Sequence, residues 1–163
     1  MKKRLLAAAV IALLAVAGAP TAAPGAGFGL GVIAGEPTGV SLKTWLDERH
    51  AVDVALGWSL SGNTTLHLHA DYLWHDFGLL RPGDIRGRLP VYYGIGGRFT
   101  LGENRGGERK HDDRLGVRFP LGISWISSGA PLDVFVEIAP VLDLAPDTDL
   151  SLDAAIGLRY WFP

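Results

Sequence analysis

The sequence predicts an all-β fold, an eight-stranded antiparallel up-and-down transmembrane barrel. Two observations lead there. Beyond Gly27, large apolar residues alternate with small or polar ones at a period of two, in segments separated by Gly, Pro, Asp, Asn and Ser. The non-apolar half of each segment is made of Gly, Ala, Ser and charges of both signs, while the apolar half is almost uniformly bulky.

The start of the chain frames this domain. Lys2, Lys3 and Arg4 precede an apolar run from Leu5 to Ala19, then a stretch rich in Ala, Gly and Pro. A basic start, a run too short to span a bilayer and Ala-x-Ala sites predict a signal peptide and small-residue leader over 1–26. Ala15-Val16-Ala17 fits cleavage best, because Ala17-Gly18-Ala19 would leave Pro20 directly after the cut. Residues 27–163 then form one outer-membrane barrel domain. Removing the leader leaves 12 basic against 17 acidic residues, a net charge of −5, which argues against a nucleic-acid partner. The chain has no cysteine. No disulfide framework or thiolate metal site can hold it together, although export would permit disulfides.

The strands follow in order. Gly27–Ala34 and Val40–Leu46 flank a Glu36-Pro37-Thr38-Gly39 turn. In Ala51–Leu60, Val52, Val54, Leu56 and Trp58 share a face opposite Asp53, Ala55, Gly57 and Ser59. Thr64–Phe77 sets Leu66, Leu68, Ala70, Tyr72 and Trp74 against His67, His69, Asp71 and His75. Pro90–Leu101 opposes Val91, Tyr93, Ile95 and Phe99 to Tyr92, Gly94, Gly96 and Arg98. Arg114–Ile126 opposes Leu115, Val117, Phe119, Leu121, Ile123 and Trp125 to Gly116, Arg118, Gly122 and Ser124. Leu132–Leu144 has Val134, Val136 and Ile138 on one face and Asp133, Phe135, Glu137 and Asp143 on the other. Leu150–Phe162 ends the domain with Leu152, Ile156, Leu158, Tyr160 and Phe162 opposite Asp153, Gly157, Arg159 and Trp161.

Composition selects which face points inward. An eight-stranded barrel is only just wide enough inside for side chains. The bulky apolar set would not fit there, whereas Gly and Ala interleaved with charges would. The bulky residues therefore form an outer girdle, which water would penalise by roughly 25 cal/mol per Å² and a bilayer would accept. Inside, Lys43, Arg98, Arg118 and Arg159 can meet Asp53, Asp71, Glu137, Asp143 and Asp153, with His67, His69 and His75 also facing the lumen. Trp45, Trp58, Tyr72, Trp74, Trp125, Tyr160 and Phe162 lie near strand ends, as aromatic girdles do.

The segments "GFGLGVIAGEPTGVSLKTWL", "HADYLWHDF", "VYYGIGGR" and "PLDVFVEIAPVLDL" resemble a family of small bacterial outer-membrane β-barrels of unassigned activity, comparable in size to OmpX and the OmpA transmembrane domain. The resemblance implies an eight-stranded barrel in the outer membrane, with outer-membrane lipid as its surroundings, and carries no catalytic residue. The last strand also resembles the C-terminal signal read by the barrel-assembly machinery, with Tyr160 and Phe162 after Gly157. Ala155 departs from the polar residue usual there, and Pro163 follows the Phe that ordinarily ends such chains.

Chemistry-bearing groupings are few. His67-x-His69-x-Asp71 shares one strand face and could offer two imidazoles and a carboxylate to zinc, but a hydrogen-bonded network with Arg98 or Arg118 would satisfy the same groups without metal. Ser59 and Ser124 have the inward parity that a serine hydrolase would need, with nothing local to single them out. No catalytic, cofactor-binding or metal residue is assigned, and no cofactor is expected. With the N-terminus in the periplasm, the charged 102–113 loop lies outside the cell and is the candidate contact for an extracellular ligand. The long Gly78–Leu89 connection would then fall on the periplasmic side, where short turns are usual. The leading expectation is a structural or surface-interaction barrel. Two alternatives are a secreted, soluble lipocalin-like barrel with the bulky face inward, and an outer-membrane enzyme or narrow channel using the histidine stripe.

Overall fold

A computed structural model describes residues 27–59, 65–81, 83–102 and 113–163. The leader over 1–26, the Ser61-Gly62-Asn63 turn and nearly all of the 102–113 loop lie outside the described residues. Ten antiparallel strands form one sheet: β1 (Phe28–Glu36), β2 (Thr38–Trp45), β3 (His50–Ser59), β4 (Thr65–Asp76), β5 (Gly87–Arg88), β6 (Val91–Gly102), β7 (Arg114–Arg118), β8 (Leu121–Ser127), β9 (Leu132–Ala145) and β10 (Asp149–Phe162). The ladder runs β1 to β4, then β6, then β7 and β8 together, then β9 and β10. It closes where Phe28 to Glu36 of β1 pair with Phe162 to Ala154 of β10. The result is a ring of eight strand positions with sequential neighbours, as the short connections imply.

Two elements differ from the sequence expectation. The strand expected over 114–126 is interrupted at Phe119-Pro120 into β7 and β8, both of which pair with β6 on one side and β9 on the other. Pro120 has no N–H to give to the ladder, and Pro140 sits in the same stretch of the facing β9. Alternation passes through the break undisturbed, with Arg118 and Pro120 buried and Phe119 and Leu121 exposed. The long 78–89 connection is also shorter than it looked, because β5 pairs with Ile126 and Ser127 along the same edge of β8 that β6 uses. Pro90 interrupts what is otherwise one strand, and its carbonyl accepts the Ser124 N–H at 3.0 Å.

The β2–β3 turn is held by Asp47, whose Oδ1 accepts the backbone N–H groups of Arg49 at 2.7 Å and His50 at 2.8 Å. The Arg49 N–H, followed by the His50 imidazole, keeps this exposed carboxyl below the usual carboxylate range.

The two faces of the ring sort by composition. Outside stand Leu30, Val32, Leu56, Ile95, Leu121, Ile123, Val136, Ile138, Ile156 and Leu158, each exposed. Inside are Lys43, Asp53, Asp71, Arg98, Arg118, Asp133, Glu137, Asp143, Asp153 and Arg159, together with Ile33, Ala51, Ala55, Leu73, Tyr92 and Phe135. Val136 is 56% exposed and Asp53 3%, the reverse of what the lipocalin-like alternative requires.

Inward glycines make the space that long side chains occupy. A Cβ on Gly96 would collide with the Asp71 carboxylate, and one on Gly157 with the Phe135 ring. Phe135 in turn lies under the Arg159 guanidinium, whose Cζ is 3.9 Å from the ring centroid. Gly157→Val is expected to destabilise by about 1–3 kcal/mol through overpacking, read as a lower denaturant midpoint. Adding Phe135→Ala should recover part of that loss; no recovery would mean the ring is not what the new side chain meets.

Candidate functional site

The distinctive chemistry lies in the ring's interior, where β2, β3, β4 and β6 to β10 each contribute a buried polar group and three arginines tie strands across it. Arg98 on β6 donates from Nη1 to Asp153 Oδ1 at 2.8 Å and from Nη2 to both Asp143 oxygens at 2.9 and 3.0 Å, and reaches Ser151 Oγ at 3.0 Å. Arg118 on β7 donates to Asp71 Oδ2 on β4 and to Glu137 Oε1 on β9, with Asp153 Oδ2 3.7 Å from its Nε. Arg159 on β10 donates to Asp53 Oδ2 on β3 at 2.6 Å and to Ser41 Oγ on β2 at 2.9 Å, with Asp133 Oδ2 at 3.5 Å. Each fork thus bridges two or more strands, the planar geometry that lysine cannot supply.

Lys43 serves the end of the lumen near Gly27 and Pro163, the described termini. Its Nζ donates to His75 Nε2 at 2.9 Å and lies 3.8 Å from Asp133 Oδ2. With Nε2 accepting, His75 carries its proton on Nδ1, which lies 3.2 Å from the Arg49 carbonyl. The same ammonium stands 4.9 Å from the Trp45 ring and 5.3 Å from that of Tyr92. Tyr92 donates to Glu137 Oε2 at 2.8 Å, and Ser124 to Asp133 Oδ1 at 2.8 Å.

No protein-family model matches the chain, and no curated protein matches it. The crystal structure of the N-terminal β-barrel domain of Pseudomonas aeruginosa OprF is similar to it, with a TM-score of 0.59 at 12% identity over 83% of this chain and 96% of that one. The fold is a β-barrel. At that identity the likeness extends to the fold alone, so the resemblance to small barrels is supported at the level of architecture and not of family.

Of the residues expected to face the lumen, Lys43, Asp53, His69, Asp71, His75, Arg98, Arg118, Glu137, Asp143, Asp153 and Arg159 are all buried there. His67 is half-buried, with Thr100 Oγ1 3.4 Å from its Nδ1. The trio His67, His69 and Asp71 does not converge. Asp53, paired directly opposite Asp71 on the neighbouring strand, joins His69 and Asp71 in place of His67, and one donor atom of each lies within 4.8 Å of the others. Asp133, Ser41, Tyr92 and Ser124 belong to the lattice and were not singled out. Asp133 has the parity of Glu137 and Asp143, which was the available signal. Ser124 is committed to Asp133, which leaves it without a histidine partner among the described residues. Trp45 is a correction to the expected outer girdle. It faces the lumen mouth, 4.4 Å from the His75 ring and 6.2 Å from Trp161. That mouth is a recess of about 760 Å³ bordered by Trp45, Phe77, Arg88, Leu132 and Trp161.

Removing one centre of the lattice should be far worse than removing its edge. Arg118→Met leaves Asp71 and Glu137 without their shared cation and is expected to cost about 3–5 kcal/mol, whereas His67→Ala should stay within about 1 kcal/mol. Arg118→Met combined with Asp71→Leu and Glu137→Met should regain most of the loss, checked by urea midpoints in one detergent.

Proposed function

We propose that the protein is a small bacterial outer-membrane β-barrel with a charge-filled lumen, serving a structural or surface-interaction role rather than that of a wide porin or an enzyme. The observation that carries the reading is the inside-out distribution: a continuous outer face of Leu, Ile, Val and Phe around an interior of buried ion pairs. A monomer in water does not present such a surface, and a closed barrel is the β-architecture that hydrocarbon permits.

Three further features support it. The 14-residue β9 and β10 are long enough to cross a bilayer, which needs about 9–11 tilted residues. At the end where both described termini lie, Phe28, Tyr72, Trp74, Tyr93, Tyr160 and Phe162 form an outward aromatic band, the belt expected at a headgroup boundary. Tyr160 and Phe162 of the C-terminal strand both point outward, where the barrel-assembly machinery could read them. With the described termini in the periplasm, loop 102–113 lies at the cell exterior and is the proposed contact for an extracellular ligand.

The arginine forks cross the lumen at several heights, so steady ion conduction is not expected. Fractionation should place the protein in detergent-extracted outer membrane, with migration on gels that changes on heating. Recovery in the soluble periplasm without detergent would overturn the reading. Val136→Arg puts a charge on the lipid face, at an expected cost of about 2–4 kcal/mol, and should deplete the folded band. A Val136→Arg protein that assembles at the wild-type level would argue against lipid on that face.

A further inference from the structure

We propose, resting on the membrane-barrel reading, that the connection between β4 and β5 is a docking surface for anionic phospholipid headgroups, engaged by Arg81 and Arg86 with Leu79 and Ile85 against the neighbouring acyl chains. β4 and β6 are direct neighbours, with Trp74 opposite Tyr93 and Asp76 opposite Val91. A tight turn could join them there. The chain instead takes residues 77–90, at the end where barrels ordinarily use short turns.

Both ends of this excursion are fixed. Asp76 Oδ1 accepts the N–H groups of Gly78 at 2.7 Å and Leu79 at 3.1 Å, and Gly87 and Arg88 pair with Ser127 and Ile126 of β8. The part between them is not packed on the barrel. Leu79 is 64% exposed and Ile85 56%, and a Cβ on Gly83 would meet nothing within 4 Å.

Two observations identify what covers it. The first is continuity with the aromatic belt. The connection leaves β4 just after Tyr72 and Trp74 and reaches β6 just before Tyr93, and the Trp74 ring lies 4.7 Å from Tyr72 and 5.9 Å from Tyr93. The excursion therefore starts and ends beside the rings that mark the headgroup boundary. Arg88 and Phe77 border the lumen recess, with the Arg88 Cζ 4.8 Å from the Phe77 centroid, whereas Leu79, Arg81, Ile85 and Arg86 do not border it.

The second is charge. Residues 77–90 carry Arg81, Arg86 and Arg88 against Asp84 alone, a net charge of +2 in a domain whose net charge is −5. Arg81 and Arg86 are exposed, and among the described residues no carboxylate lies within 4.0 Å of either. Each directly follows an apolar residue, Leu80 or Ile85. A cation beside hydrocarbon suits the boundary between phosphate and acyl chain, and a guanidinium can take two phosphate oxygens together. An anionic headgroup is preferred over a zwitterionic one, whose own ammonium cancels the phosphate charge.

The absence of cysteine makes Gly83→Cys a single attachment point for a fluorophore, in open space. The labelled, folded protein is placed in phosphatidylcholine vesicles doped with either phosphatidylglycerol or phosphatidylcholine bearing a doxyl quencher near the headgroup, at equal mole fraction. Phosphatidylglycerol is expected to quench more than about fivefold more effectively. That ratio should fall toward one in about 0.5 M salt and in the Arg81→Gln/Arg86→Gln protein, and should hold in Arg114→Gln, which removes a charge at the opposite end. Equal quenching by the two lipids, quenching by neither, or a ratio that survives the double substitution overturns the proposal, as does an equal fall in Arg114→Gln. A failure of the membrane-barrel reading would show earlier and separately, as a missing heat-modifiable band.

Discussion

An eight-stranded ring encloses a space little wider than two side chains, and that narrowness governs the rest of this protein. Any residue directed inward meets one directed inward from the opposite wall. Bulky residues on both sides would not fit. The interior is therefore built from long side chains interleaved with glycine and alanine, and the same holds along the wall, where Asp71 lies against Gly96 and Phe135 against Gly157 of the neighbouring strand. The bulky apolar residues are displaced to the outside, where the solvent must be compatible with them.

That inversion changes what holds the fold together. If hydrocarbon surrounds the barrel, packing apolar side chains inside it gains little, because lipid is as apolar as leucine. Specificity then comes from polar groups that find partners only when the sheet has closed in the correct register. The three arginine forks act in this way. Arg98 joins β6 to β9 and β10, Arg118 joins β7 to β4 and β9, and Arg159 joins β10 to β2 and β3. Buried ion pairs are a weak source of net stability, since desolvation offsets much of the attraction. Their value lies in the cost of leaving any one of them unmatched, which a slipped register would do at several places together.

The two ends of the barrel are unlike. The end carrying Gly27 and Pro163 has aromatic rings on both faces. Phe28, Trp74, Tyr93 and Phe162 point outward, while Trp45 and Trp161 floor an open recess on the inside. The opposite end of the outer face is richer in leucine, with Leu66, Leu101, Leu144 and Leu150 exposed. A tryptophan near a strand end can thus serve either face. Trp45 shows that proximity to the end does not reveal which, whereas its parity with Ser41 and Lys43 does.

Strand existence, strand phase and the identity of the inward face were legible in the sequence, because period-two alternation is a local property and the two faces differ sharply in side-chain size. That local rule placed Lys43, Asp71, Arg118 and Arg159 inside without knowledge of any neighbour. Partnership was not legible. Which arginine meets which carboxylate, the entry of Asp133 into the lattice and the replacement of His67 by Asp53 beside His69 all depend on inter-strand register and on the stagger with which the ring closes. The interruptions at Pro90 and Pro120 belong to the same class. A proline's missing N–H matters only once the facing strand, and the carbonyl that would have accepted it, are in place.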